Sequence, residues 1–488
     1  MTAITSQNEN FSEWYNQVIQ MADLAENAPV RGCMILKPYG YSIWENIQKI
    51  LDKKIKDTGH KNAYFPIFIP KSYFSKEAEH VDGFAKECAI VTHCRLKQNG
   101  NNIIVDPESQ LDEEYIIRPT SETIIWNSFS KWIRSYRDLP MKINQWANVC
   151  RWEMRTRPFL RTSEFLWQEG HTAHTTRQEA LEEVMTMLDI YYDFGKEYLA
   201  IPFIKGRKTE NEKFAGADET YTLEALMKDG KALQCGTSHL LGQHFSKSFD
   251  VKYLNKSNSS EYVWGTSWGV STRLIGALIM THGDDKGLIL PPKIAPVQIV
   301  IVPIFNDVDE LNKIKDYIKL IIDELEKKDI AVEFDDREEY RPGYKFNEWE
   351  IKGVPLRIVV GMNDIKNNTI ELVRRDTFEK LSVNIDTSIN EILKILDNIQ
   401  DNLYNMALSF RENHTFFIND YSEFKDKIKK KDGFIFAHWD GSTITEQKIK
   451  EETQATIRCV PLNVKQENGK CIYSNRASEY RVIFAQNY

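Results

Sequence analysis

Cysteine is scarce in this chain and suits no bridge pattern. Seven lie scattered at positions 33, 88, 94, 150, 235, 459 and 471, an odd number with no Cys-x-x-Cys pair. That excludes the disulfide framework of a secreted domain and points to a reducing, cytoplasmic setting. No run of 18 or more apolar residues occurs, so no membrane-spanning helix is expected. The start, MTAITSQNENFSEWYNQVIQ, has neither a basic region leading into an apolar core nor a cleavage site, so no export signal is expected. Internal repeats and low-complexity tracts are also missing. A positive excess is absent: the net charge is −8. A nucleic-acid partner must therefore be held by local basic patches and not by the overall field.

What is present is ordinary globular protein in quantity. The 488 residues are 42% hydrophobic and 27% charged, enough for several cores and two to four domains. Residues 42–58 place Ile43, Ile47, Ile50, Leu51 and Ile55 at helical spacing. NAYFPIFIP, with two prolines, suits an edge strand or a subunit contact. Residues 178–199 form a long amphipathic helix, and GLILPPKIAP closes this first block as a proline-bearing linker. Beyond it, VQIVIVPIF, IAVEFDD, LRIVVG and TIELVRR alternate with helical segments. Such alternation over about 100 residues predicts a compact α/β domain with a mixed sheet. A long helix leaves it, and a last block runs from about 415 to 488. The expected fold class is thus α/β (α+β), with boundaries at 1–290, 296–405 and 406–488.

One stretch alternates in an unusual way. In RTSEFLWQEGH (161–171) a strand puts Ser163, Phe165, Trp167, Glu169 and His171 on one face. Aromatics beside a carboxylate and an imidazole suit the floor of a small-molecule pocket, or a core strand with its polar end in solvent. Three further segments share this habit. In IIRPTSETIIW, Thr120 and Glu122 can hydrogen-bond a cationic amine, or the segment is a helix cap. In QWANVCRWEMRTRPFLRTSEF, Arg151 and Glu153 are expected on one strand face, leading to Arg155, Arg157 and Arg161. Guanidinium forks match phosphate oxygens. In VWGTSWGVSTRLIGALIMTHGDDKG, Arg273 opens an apolar helix, a ready anion site.

Taken together, these segments resemble a class II aminoacyl-tRNA synthetase, and closely the prolyl-tRNA synthetases of archaeal and eukaryotic type. The likeness is carried by IIRPTSET, RWE…FLRTSEFLWQEGH, KGRKTENEKFAGADET, LQCGTSHLLGQHFSK and SWGVSTRLIGALIMTHGDDKGLILPP, and it spans essentially the whole chain. It implies an antiparallel-sheet catalytic domain, an α/β anticodon-binding domain and a small α+β C-terminal domain. It implies activation of L-proline with ATP to prolyl-adenylate and pyrophosphate, then transfer to the 3′-terminal adenosine of tRNA(Pro). By the same likeness, Arg151 bridges the α-phosphate and the proline carboxylate, and Arg273 holds the γ-phosphate. Glu153 reads the adenine amino group or places a Mg²⁺-bound water, and Phe165 stacks on adenine. Arg161, Thr162, Gln234, Thr237 and Ser271 contact ATP. Thr120 and Glu122 take the ammonium. Trp167, Glu169, His171, Phe214, His239, Ser267 and Gly269 line the proline pocket.

The resemblance also implies Mg²⁺ bridging phosphates, and anticodon contacts among Arg337, Arg341, Tyr344, Lys345, Glu350 and Arg357. It implies a homodimer through SIWENIQKIL…AYFPIFIP. About 95 residues separate His171 from Trp268, too few for the editing insertion of bacterial-type relatives, so no editing in cis is expected. Relatives with a C-terminal zinc site use four cysteines. Here only Cys459 and Cys471 are available, with His438 a remote third ligand, and no zinc is expected. The terminal Tyr488 is expected to tuck close to the catalytic domain. A related class II enzyme for threonine, glycine or histidine, or a non-catalytic tRNA- or amino-acid-binding relative, is the alternative.

Overall fold

The computed structural model describes residues 4–75 and 87–488. Its centre is one large sheet. Seven strands of it come from the first block: β1 (Lys61–Asn62), β2 (Met141–Cys150), β3 (Glu164–His174), β4 (Ile204–Arg207), β5 (Glu219–Leu226), β6 (Ala232–Gly242) and β7 (Trp264–Ser271). They lie side by side in the order β4-β5-β6-β7-β3-β2-β1, antiparallel except for the short β1–β2 contact. The anticipated Arg151–Glu153 strand face is not formed. β2 stops at Cys150, where the backbone N–H groups of Cys150 and Arg151 bond the carbonyls of Arg118 and Ser163.

Two helices back the sheet and a third enters its site face. α2 (Arg177–Glu197) begins at Thr176, whose hydroxyl caps the Glu179 N–H. It buries Val184, Met187, Leu188 and Tyr191 against β6 and β7. α3 (Arg273–His282) is apolar all round and accordingly buried from Leu274 to His282. Trp268 crosses β3 at Gly170, where a Cβ would stand 1.9 Å from the indole. α1 (Glu122–Trp132) packs Trp126 and Phe129 into a separate core with Phe245 and Phe249.

The helix expected over 42–58 runs Pro38–Asp57, starting on a proline at its first turn. Its apolar stripe, Ile43, Trp44, Ile47, Leu51 and Ile55, is spent on the core of its own chain. Of NAYFPIFIP, Asn62 ends β1 and Phe68–Pro70 is a strand at the edge of a small three-stranded sheet.

The second block is a five-stranded mixed sheet. Val332–Phe334, Ile299–Ile304 and Leu356–Gly361 run parallel, then Thr369–Arg374 and Lys380–Asn384 antiparallel. The last strand is not among those expected from the sequence; four of its five residues are exposed and only Val383 is buried. The long helix Ser388–Asn413 follows.

The C-terminal block continues the catalytic sheet to eleven strands. Thr456–Pro461 pairs with β4, and Arg481–Ala485, Phe434–His438 and Thr415–Phe417 follow outward. Gly206 makes the joint possible: a Cβ there would lie 2.3 Å from Cys459 Sγ. A buried carboxylate rivets it. Glu224 Oε1 accepts from Lys208 Nζ at 2.8 Å, and Glu224 Oε2 from Arg458 at 2.9 and 3.0 Å. Tyr488 does tuck back. Its N–H bonds the Ala232 carbonyl, and its ring lies 5.0 Å from the Arg157 guanidinium.

Candidate active site

Cross-strand register assembles one face of the sheet into two rows. Thr222, Thr237, Gly269, Glu169 and Gln145 form one, from β5 across β6, β7 and β3 to β2. Thr220, His239, Ser267, His171 and Ile143 form the next. Above these rows lies a cavity of about 220 Å³. Thr120, Glu122, Arg151, Phe165, Trp167, Glu169, His171, Phe214, Gln234, Thr237, His239, Ser267, Gly269, Ser271 and Arg273 line it. Residues scattered over 150 positions thus meet on one surface, because alternate side chains of a strand share a face.

The cavity has two chemically distinct ends. At one end Thr120, Glu122, Glu169, His171, Ser267 and Phe214 are buried. Glu169 is gripped by Ser121 Oγ at 2.5 Å, Gln145 Nε2 at 2.8 Å and His171 Nε2 at 2.9 Å. Ser121 stands at the N-cap of α1, yet its side chain does not cap the helix; the hydroxyl is diverted to Glu169. The segment thus does start a helix, as one alternative had it, but without a side-chain cap bond. Thr120 donates to the Glu122 carboxylate. Thr220 accepts the Phe214 N–H and meets His239 Nδ1, both at 2.9 Å, so the two rings lie 4.7 Å apart.

Three buried polar atoms on this surface, Trp167 Nε1, His171 Nδ1 and Ser267 Oγ, have no hydrogen-bond partner among the described residues. Buried polar groups are nearly always paired, so these three atoms offer hydrogen bonds to a ligand in the cavity.

The other end is cationic and more open. Arg151 Nε donates to the Pro119 carbonyl at 2.9 Å, and its guanidinium lies 5.5 Å from the Phe165 ring and 5.6 Å from Trp167. Arg273, first residue of α3, donates to the carbonyls of Leu160 (3.1 Å) and Gln234 (3.3 Å). Burial lowers the Arg151 pKa to about 10, with Glu122 opposing and Arg273 adding to the shift. Both arginines stay charged at neutral pH. Burial disfavours charge on His171, but its bond to Glu169 and the charges of Glu169 and Glu122 outweigh that and raise its pKa. His239 has no such partner, and burial lowers it to about 4.

Some anticipated residues stay outside the cavity lining. Glu153 and Arg161 lie in the loop beyond β2, with Nε and Oε2 3.9 Å apart. The Thr162 hydroxyl donates to the Glu164 carbonyl at 2.7 Å, and Thr162 borders a different hollow with Gly32 and Cys33. Residues not singled out in the sequence also belong here. Gln145, Ser121 and Thr220 orient the lining, while Glu212 and Lys213 are part of it. Of these, Ser121 lies beside Thr120 and Glu122 in IIRPTSETIIW, and Glu212, Lys213 and Thr220 lie in KGRKTENEKFAGADET, while nothing in the residue pattern set Gln145 apart.

In the mixed-sheet domain, Lys345 is corrected as a base contact: it is 1% exposed and donates to the Asp335 carbonyl at 2.9 Å. Arg357 is likewise buried, paired with Glu350 at 2.9 Å. Arg337 is held by Asp335 and Glu348 at 2.8 Å. Arg341 remains exposed beside Tyr340 and Tyr344, whose rings stack at 4.5 Å. In the C-terminal block Cys459 and Cys471 are buried thiols, and His438 Nδ1 meets Ser478 Oγ at 3.1 Å. Among the described residues no three His, Cys, Asp or Glu side chains form a group suited to a metal ion.

Residues 105–282 match the tRNA synthetase class II core domain (G, H, P, S and T), residues 298–395 an anticodon binding domain, and residues 421–488 the C-terminal domain of prolyl-tRNA synthetase. The chain is 61% identical to a proline–tRNA ligase of Amoebophilus asiaticus, with 98% of each chain covered. It is 60% identical to that of Cytophaga hutchinsonii, with 99% of each covered. A crystal structure of prolyl-tRNA synthetase from Cryptosporidium parvum complexed with L-proline and AMP is 40% identical. It superposes with a TM-score of 0.91, covering 100% of this chain and 97% of that one.

Proposed function

The chain belongs to the proline–tRNA ligases of the class II aminoacyl-tRNA synthetases, and from that premise we propose how its own residues carry the two steps. In the first, a proline carboxylate oxygen attacks the α-phosphorus of ATP; the new O–P bond forms as the bond to pyrophosphate breaks. In the second, a ribose hydroxyl of the 3′-terminal adenosine of tRNA(Pro) attacks the acyl carbon and AMP leaves. Neither step needs a protein nucleophile. The work is positioning and stabilisation of charge on the phosphate oxygens.

The observation that carries the reading is the division of one cavity into a buried acid–imidazole–aromatic end and a cationic end. A free amino acid bearing an apolar ring wants the first, and a nucleoside triphosphate the second. Thr120 and Glu122 take the secondary ammonium; Trp167, Phe214 and His239 enclose the ring, with Glu169, His171, Ser267 and Gly269 at its polar edge. Arg151 joins the carboxylate to the α-phosphate, and its place between Phe165 and Trp167 supports this. Arg273 holds the γ-phosphate, Phe165 stacks on adenine, and Gln234, Thr237 and Ser271 bond ribose or phosphate oxygens. Glu153 and Arg161 reach the nucleotide by movement of their loop. Thr162 is left to orient that loop.

When bound with the nucleotide, Mg²⁺ would supply charge neutralisation at the phosphates. The oxygens of Gln234 and Thr237 at the cationic end suit an ion held mostly by phosphate, with few protein ligands. The C-terminal block is held without zinc in this reading, since Cys459 packs against Gly206 and His438 is engaged by Ser478. No editing occurs in cis: the interval from His171 to Trp268 contains α2, β4, β5 and β6 of the core. A ring pocket discriminates by about 1–3 kcal/mol per methylene, so alanine and cysteine are the expected errors. Arg341, Tyr340 and Tyr344 present a stacking surface for splayed anticodon bases. The homodimer is supported by the exposed apolar residues Tyr64 (72%), Phe68 (49%) and Ile90 (50%).

The test is proline-dependent ATP–pyrophosphate exchange without tRNA, beside alanine, cysteine, threonine, glycine and histidine. Exchange is expected to be strongest with proline and weaker with alanine. Exchange led by another amino acid overturns the substrate. None with any of them, from folded protein with Mg²⁺, makes the chain a binding relative.

A further inference from the structure

Gln145 does not line the cavity; it is 1% exposed and lies on β2 directly across from Glu169, at the far end of their shared row. Its side-chain orientation is nevertheless dictated. Oε1 accepts the Phe65 backbone N–H at 2.6 Å, so the amide cannot be turned round, and Nε2 must face Glu169 Oε1 at 2.8 Å. Ser121 Oγ, from the start of α1, reaches the same oxygen at 2.5 Å. With Oε1 occupied by two donors, only Oε2 serves His171 Nε2, and His171 Nδ1 is left unpartnered at the cavity wall.

Resting on the reading that this end takes the amino acid, we propose that Gln145 is a positioning residue: it holds the Glu169 carboxylate oriented so that His171 presents Nδ1 to the substrate. The charged and titratable groups facing this pair from other elements are Glu122 on α1, Arg151 beyond β2 and His239 on β6.

Two variants separate this role from simple packing. In Gln145→Glu the new carboxyl keeps an oxygen for the Phe65 N–H. When protonated, it donates to Glu169 as the amide did. Two carboxylates this close share one proton, lost only at raised pH. Gln145→Met has no donor at any pH. The readouts are KM for proline and KM for ATP in pyrophosphate exchange, each across pH, with thermal unfolding alongside.

Gln145→Glu is expected to match the parent within about threefold at the acid end. Its proline KM then rises by about tenfold or more as the shared proton leaves, the size of a lost hydrogen bond to a charged group. Gln145→Met shows the raised proline KM throughout, and ATP KM is unmoved in both. Profiles for Gln145→Glu parallel to the parent's overturn the proposal. So do proline and ATP KM values that rise together with lost thermal stability. Should the Gln145 variants not fold, Ser121→Ala removes the other donor from a different element. A raised proline KM at constant ATP KM supports the clamp there, and an unchanged one overturns it. If the parent exchanges with a different amino acid, the proline reading falls, and the clamp stands or falls by the same pH split on that amino acid's KM.

Discussion

Arg151 and His171 show how far single side chains are set by their surroundings. Arg151 keeps its charge despite burial because Glu122, Glu169 and Glu153 face it. Arg151→Lys keeps a charge but loses the planar fork that spans two oxygens. It is expected to lower kcat in pyrophosphate exchange by about 10²–10³, as loss of a donor to a developing anion does. The imidazoles give a pH prediction whose sign differs by site. His239, His174 and His282 are each held neutral by burial, with pKa values near 4 against an ordinary 6.5. The unfolded chain takes up protons at pH 6.5 that the folded chain refuses until about 4. Stability is therefore expected to fall as pH is lowered through that window, measured by denaturant midpoints. His171 acts oppositely: its raised value means a contribution fully present below about 6.5 and lost as pH rises through the folded pKa. His171→Asn should remove that alkaline loss.

At the scale of elements, alternation in FLWQEGH was legible because a strand's period is two and both neighbours of β3 follow it through unbroken antiparallel register. The glycine between Glu169 and His171 carries the packing on the reverse side. Gly170→Ala drives a methyl into the Trp268 ring and is expected to cost about 1–3 kcal/mol, read by chemical denaturation, with activity falling as the floor shifts. Less legible was the segment 337–351, where the helix Pro342–Ile351 carries Lys345 and the residues before it carry Arg337 and Arg341, cations that look alike in sequence. Tertiary contacts divide them into the buried Lys345 and the exposed Arg341. Arg341→Ala is expected to raise KM for tRNA several-fold in aminoacylation, as loss of a charged contact of about 1 kcal/mol does. Pyrophosphate exchange should be unchanged, because the residue is the N-cap of a helix packed on the separate five-stranded sheet.

At the scale of the whole molecule, catalytic and C-terminal blocks share one sheet and one buried triad. Glu224→Ala leaves Lys208 and Arg458 buried without their carboxylate and is expected to cost about 3–5 kcal/mol in unfolding free energy. Arg458→Met should cost less, since Lys208 still pairs Glu224. The sequence by itself determined the family, through the resemblance of its motifs, and most of the strands and helices and the acid–imidazole–aromatic face of one strand, because these are written in local period and residue type. It said nothing of Gln145 across from Glu169, of Ser121 leaving its capping position, of Lys345 turned inward, or of Cys459 seated on Gly206. Each depends on which distant segments become neighbours, and only cross-strand register and the packing of helices on the sheet decide that.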